Sequence, residues 1–115
     1  MADPAQRRAT YADLEAVPPE FTAEIVAGEL VVSSRGLPPL HAMALAQLGS
    51  LLSVATGRKG KRGDWIFLNR PEIHAAGDVL VPSLAAWERD RFVDSENWAE
   101  LAPPDLVCEM SNPGT

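Results

Sequence analysis

Two apolar runs in the last third of the chain lead into positions where chemistry could sit. Asp78-Val79-Leu80-Val81-Pro82 runs into Ser83, and Asp105-Leu106-Val107-Cys108 runs into Glu109. Acids at the ends of two such strands would suit metal-dependent phosphodiester hydrolysis, because hard carboxylate oxygens hold the hard cation that activates water and neutralises phosphate charge. Here one position carries an acid and the other a hydroxyl. The strands suit that chemistry, but the set of charged groups is one carboxylate short.

Other polar groups are weaker candidates. Glu72 and His74 lie two apart, so on an extended strand both face one side; one His with one acid is a thin metal pattern beside the plainer reading of two surface polar residues. Asp105 shares a strand face with Val107 and Glu109, and either supports Glu109 or simply starts the strand after Pro103-Pro104. Gly57-Arg58-Lys59-Gly60-Lys61-Arg62 gathers Arg58, Lys59, Lys61 and Arg62 on a glycine-flanked loop, read either as solvated or as a phosphate contact on an otherwise acidic body. Trp65, Trp87 and Trp98 are read as packing, with base stacking the lesser alternative. Cys108, the only cysteine, lies inside an apolar strand and is read as a structural thiol, since one cysteine builds neither a disulfide nor a cysteine-based zinc site. The chain has no Gly-x-Ser-x-Gly elbow, no phosphate loop ending in Gly-Lys-Ser/Thr and no Gly-x-Gly-x-x-Gly turn.

The elements that must position these groups follow from pattern. Thr10 reads as an N-cap with Asp13 at the third helical position, opening a short helix over Tyr11 to Ala16 that Pro18-Pro19 ends. Strands over Thr22 to Val26 and Glu29 to Ser33 join at Ala27-Gly28, where glycine supplies the positive φ of a tight hairpin. Leu40, Ala44, Leu45, Leu48, Leu51, Leu52 and Ala55 recur with the helical period, predicting a long helix over His41 to Ala55 that ends at Gly57. Trp65 to Leu68 and Val79 to Val81 read as buried strands, with Glu72 to His74 a shorter strand or extended loop between them. Ala85 to Leu101 reads as a short helix plus irregular chain, and Leu106 to Met110 as a last strand. The order predicts an α+β domain in which a mixed sheet carries the long helix on one face.

With 115 residues the chain has room for one core. Its 46% apolar and 23% charged residues are ordinary for a globular domain, and no window reaches the ~20 apolar residues of a membrane span. Residues 1–9 read as a disordered tail without a secretory signal, making the cytoplasm the default compartment. A net charge of -6 argues against an extended nucleic-acid surface, since phosphate affinity comes mainly from Lys and Arg.

Taken in order, Thr10-Tyr11-Ala12-Asp13-Leu14, Ala23 to Leu30, Pro39-Leu40-His41, Pro71-Glu72-Ile73-His74, Asp78 to Trp87 and Ala102 to Thr115 make the chain resemble the Uma2 family, read as restriction endonucleases of the PD-(D/E)XK fold. The resemblance implies a restriction-endonuclease-like mixed sheet, Mg²⁺ as cofactor, DNA as substrate, and an Asp and a Glu as metal ligands. Glu109 matches the family Glu, while Ser83 stands where the family has Asp. Glu24 and Glu29 match family acids flanking the hairpin: Glu24 reads equally as a helper near the metal or a solvated edge, Glu29 rather as an edge. His41 matches the family His, facing the cleft or packing at the helix start. Family members continue into a helix bearing a Lys and then a further strand, and neither has a counterpart here.

A hydroxyl is a poor Mg²⁺ ligand. A carboxylate ~4 Å from a unit charge contributes roughly 4 kcal/mol at an effective dielectric of ~20, and about twice that against a dication, before desolvation. The expectation is therefore a nuclease-like domain with weak or absent cleavage, in which Glu109, helped by Glu24 and His41, carries whatever activity survives. Its rivals are a non-catalytic DNA- or protein-binding module and a remnant without independent function, whose exposed sheet would favour a homodimer.

Overall fold

Two alanine-glycine turns organise the four-stranded sheet. The computed structural model describes residues 7–36, 38–57 and 65–110, with the backbone alone over 53–57. Strand β1 (Phe21–Val26) turns through Ala27 (φ 51°) and Gly28 (φ 84°) into β2 (Glu29–Ser34), pairing antiparallel from Val26↔Glu29 to Phe21↔Ser34. Two successive left-handed residues make the primed turn whose twist matches that of the flanking strands. The Ala27 N–H donates to Asp78 Oδ1 at 3.0 Å, which helps hold a residue whose Cβ disfavours this conformation. At Gly28 a side chain would also meet the guanidinium carbon of Arg8 at 3.1 Å.

The same device recurs at Ala76 (φ 51°) and Gly77 (φ 90°), joining two three-residue strands, Ile73–Ala75 and Asp78–Leu80. In chain order the remaining elements are α1 (Tyr11–Glu15), α2 (Pro39–Gly57), β3 (Trp65–Asn69), β4 (Ile73–Ala75), β5 (Asp78–Leu80), β6 (Leu84–Glu88) and β7 (Leu106–Cys108). The fold is α+β. Where one mixed sheet was expected, the strands form two antiparallel sheets, ordered β2-β1-β5-β4 and β3-β6-β7, and α2 packs against β3.

The capping box holds as read: Thr10 Oγ1 accepts the Asp13 N–H and the Asp13 carboxylate accepts the Thr10 N–H at 2.8 Å. Arg7 closes on the same carboxylate at 3.1 and 3.2 Å, and this bond chiefly holds the Asp13 carboxyl below its usual range. Arg7, Arg8 and Ala9, grouped above with a tail, therefore belong to the fold; the Ala9 N–H donates to the Gly28 carbonyl at 2.8 Å. Met1 to Gln6, the basic residues Arg58, Lys59, Lys61 and Arg62, and Ser111 to Thr115 lie outside the described residues. Helix α1 buries Leu14 on Ile25 and Val79, with Ala9 and Ala23 alongside.

The largest correction concerns Ala85 to Leu101, read as a short helix plus irregular chain. Its start is β6, the central strand of the second sheet, flanked by β3 (Ile66↔Trp87) and β7 (Ala86↔Leu106). Leu84, Ala85, Ala86 and Trp87 are all buried, so both faces are covered and no alternation marks the strand. Trp87 donates from Nε1 to the Ala102 carbonyl at 2.7 Å and meets the Phe92 ring edge-on at 5.5 Å. After β6 come two 3₁₀ turns, Arg89–Arg91 and Trp98–Glu100.

Helix α2 starts at Pro39, the favoured first-turn place for proline, and the Pro38 carbonyl accepts the His41 and Ala42 N–H groups. Its packed side is narrower than the apolar pattern predicted. Leu45 is buried and Leu48 and Leu52 are half-buried, whereas Leu40 (71%), Met43 (52%) and Leu51 (68%) are exposed. Among the described residues no helix is long and apolar enough to cross a membrane.

The central position of β6 sets an expected contrast in stability. Trp87→Ala should cost about 3–5 kcal/mol, the usual range for truncating a buried aromatic. Leu40→Ala should stay within about 0.5 kcal/mol. Urea unfolding monitored by circular dichroism checks both values; a cheap Trp87→Ala would mean that β6 is not the core strand.

Candidate functional site

The chain crosses from one sheet to the other through Val81, Pro82 and Ser83, and this crossing gathers most of the residues singled out from sequence. Proline has no N–H, so the segment presents only the Val81 and Ser83 amides as backbone donors. Each is taken by a glutamate from a different sheet. The Val81 N–H donates to Glu24 Oε2 at 2.7 Å, from β1. The Ser83 N–H donates to Glu109 Oε1 at 3.1 Å, just beyond β7.

The register explains why these acids arrive here. Ile25 pairs with Val79, which sets Glu24 beside the end of β5. Leu84 pairs with Cys108, which sets Ser83 across from Glu109. The link is reciprocal, because the Met110 N–H donates to Ser83 Oγ at 2.9 Å. The Ser83 carbonyl accepts the Arg70 N–H at 3.0 Å. Pro82 and Ser83 are buried, and an unpaired amide there would cost about 1–3 kcal/mol.

Glu24, Ser83 and Glu109 thus surround one short crossing, while His41 stands apart. His41 is half-buried at the start of α2, and its Nδ1 is buried with no hydrogen-bond partner among the described residues. No described contact joins it to the two glutamates.

The donor set is poor for Mg²⁺. One oxygen of each glutamate is engaged by a backbone N–H, and the third polar side chain is a neutral hydroxyl that itself accepts a bond. Among the described residues no group of three His, Cys, Asp or Glu side chains could hold a metal ion. Hard divalent cations favour several oxygen ligands, and two committed glutamates with one serine fall short of that.

Arg70 escaped the sequence reading. It adopts a left-handed conformation (φ 53°) without being glycine, a strain of order 1 kcal/mol that surrounding bonds must hold. Those bonds are its N–H on Ser83 and its guanidinium on the Thr22 hydroxyl. Arg70 also faces a cleft of about 440 Å³ whose wall includes Tyr11, Thr22, Arg35, Glu72 and Trp98. No periodicity or motif marks it.

Glu72 and His74 form a tie between elements. Glu72 Oε1 accepts the Tyr11 hydroxyl at 2.7 Å and lies 3.0 Å from His74 Nε2, and the Tyr11 and His74 rings stand 5.3 Å apart. This pins α1 to β4. Asp105 is likewise structural: it accepts the Glu88 N–H at 2.9 Å and pairs with Arg91, at the opposite end of β7 from Glu109. Glu29 is exposed on the hairpin, in keeping with its reading as an edge residue.

The bond to Glu72, followed by burial, pushes the Tyr11 phenol up to about 12 from its ordinary value near 10. The folded state holds this proton more tightly than the unfolded chain. Its contribution to stability is therefore complete below pH 10 and lost as pH rises through about 12. Tyr11 is the sole tyrosine, so the tyrosinate absorbance band reports it alone. Titration should give a midpoint near 12 in the wild type and a lower one in Glu72→Gln; an unchanged midpoint would contradict the bond.

No family model matches the chain, and no curated protein or solved structure is similar enough to be matched to it.

Proposed function

We propose that this chain is a Uma2-like, restriction-endonuclease-type domain, akin to Mg²⁺-dependent DNA hydrolases, in which cleavage is weak or absent. The observation that carries this reading is the clasp between Ser83 and Glu109. The acid that resemblance assigns to metal binding accepts the N–H of the residue standing where the family has Asp, and that residue's hydroxyl accepts the N–H of Met110, next in the chain after the acid. Glu24 lies on the same crossing through Val81. The convergence supports an ancestral cation pocket. The missing carboxylate and the engaged oxygens support its loss of function, because phosphodiester hydrolysis of this kind depends on a cation that lowers the pKa of water and neutralises charge on the phosphate.

The test restores the absent charge. Ser83→Asp should bind Mn²⁺ at least about tenfold more tightly than the wild type in calorimetric titration, as expected when a carboxylate is added beside a dication. The gain should disappear in Ser83→Asp with Glu109→Ala. Wild-type protein should not nick supercoiled DNA above background with Mg²⁺ or Mn²⁺. Mg²⁺-dependent nicking by the wild type that Glu109→Ala abolishes would overturn the loss of function. A folded Ser83→Asp variant without added cation affinity would overturn the pocket.

A further inference from the structure

The open edge of the first sheet is a surface that the crossing does not use. Strand β2 lies at one end of the order β2-β1-β5-β4. All six of its residues are exposed, Leu30, Val31 and Val32 among them. The opposite edge, β4, has only three residues and packs against the 3₁₀ turn Trp98–Glu100. Edge strands are ordinarily shielded by proline, lysine, a bulge or a covering element, and β2 has none of these among the described residues.

The hairpin decides which backbone groups lie open. In a two-residue primed turn the flanking residues, Val26 and Glu29, form a hydrogen-bonded pair. Glu29, Val31 and Ser33 therefore turn their N–H and C=O groups towards β1. Leu30, Val32 and Ser34 turn theirs outward, where no strand among the described residues meets them.

We infer that β2 is a self-pairing edge that joins two copies of this chain antiparallel about a two-fold axis at Val32. In that register Val32 pairs with Val32 of the second copy and Leu30 with its Ser34, so every outward N–H of β2 finds a carbonyl. The register also sets Glu29 opposite Arg35 of the copy, once at each end. The segment from Glu29 to Arg35, just past the end of β2, is its own complement: acid at one end, base at the other, valine in the middle. Shifting the axis to another residue loses the Glu29–Arg35 match. Both charged side chains are exposed, and among the described residues Arg35 makes one bond, to the Pro19 carbonyl at 3.2 Å. An acidic body of net charge -6 also favours a contact confined to a strand edge, where opposite charges meet locally. One added strand buries less than the roughly 800 Å² per partner of a standard interface, so the association is reversible and concentration-dependent.

Sedimentation velocity of the full chain over a range of concentrations tests this. The wild type should pass from monomer to dimer. Glu29→Arg and Arg35→Glu, each placing like charges opposite one another at both ends, should weaken the dimer about tenfold. The double variant Glu29→Arg with Arg35→Glu should restore it to within about threefold, which neither general aggregation nor misfolding would do. Val32→Lys should abolish it, and Leu40→Lys on the exposed side of α2 should leave it intact. A wild type that stays monomeric overturns the proposal. So does a double variant that fails to recover, or a dimer that Leu40→Lys breaks and Val32→Lys does not.

Discussion

The backbone amides of the crossing between the two sheets must be paired, and that requirement shapes the whole centre of the molecule. A strand leaving one antiparallel sheet for another loses its ladder partners on the way. Here the passage takes three residues, one of them proline, and two of them are buried. The remaining N–H groups are met by side chains, Glu24 from the first sheet and Glu109 from the second. The glutamates thereby fasten the sheets to a common segment, and Arg70 fastens β3 to it from a third direction.

The same arrangement bears on chemistry. Carboxylates that accept backbone N–H groups hold fixed positions and give up part of their capacity to bind a cation. Two glutamates meet one strand crossing, and the side chain between them is a neutral serine hydroxyl that accepts the Met110 N–H. Ser83 uses its N–H, carbonyl and hydroxyl within the crossing. A residue so fully engaged suits a structural joint better than a reactive centre.

Where the sequence carried a local signal, it was legible. Ala27-Gly28 marked the first hairpin because a primed turn needs positive φ there, and Thr10 with Asp13 marked the start of α1 because capping is a short-range bond. The meeting of Ser83 and Glu109 was legible through strand ends named by resemblance, and the register of β6 with β7 places them in contact. The parts that depend on distant partners were hidden. Strand β6 is covered on both faces, so Ala85 and Ala86 resemble helix and show no alternation. The second alanine-glycine turn joins strands too short to leave a pattern, and the bonds of left-handed Arg70 run to Ser83 and Thr22, both distant in sequence. Helix α2 shows the reverse: its apolar residues nearly encircle it, and sequence could not tell that Leu45 faces inward while Leu40 and Leu51 face out.

Amide hydrogen exchange resolved at Val81 and Ser83 tests the clasp most directly. Both amides should be strongly protected in the wild type and remain so with excess Mg²⁺. Glu24→Ala should release Val81 alone, and Glu109→Ala should release Ser83 with little change in the neighbouring strand β6. Rapid exchange at Ser83 in the wild type, or protection there that survives Glu109→Ala, would contradict the account.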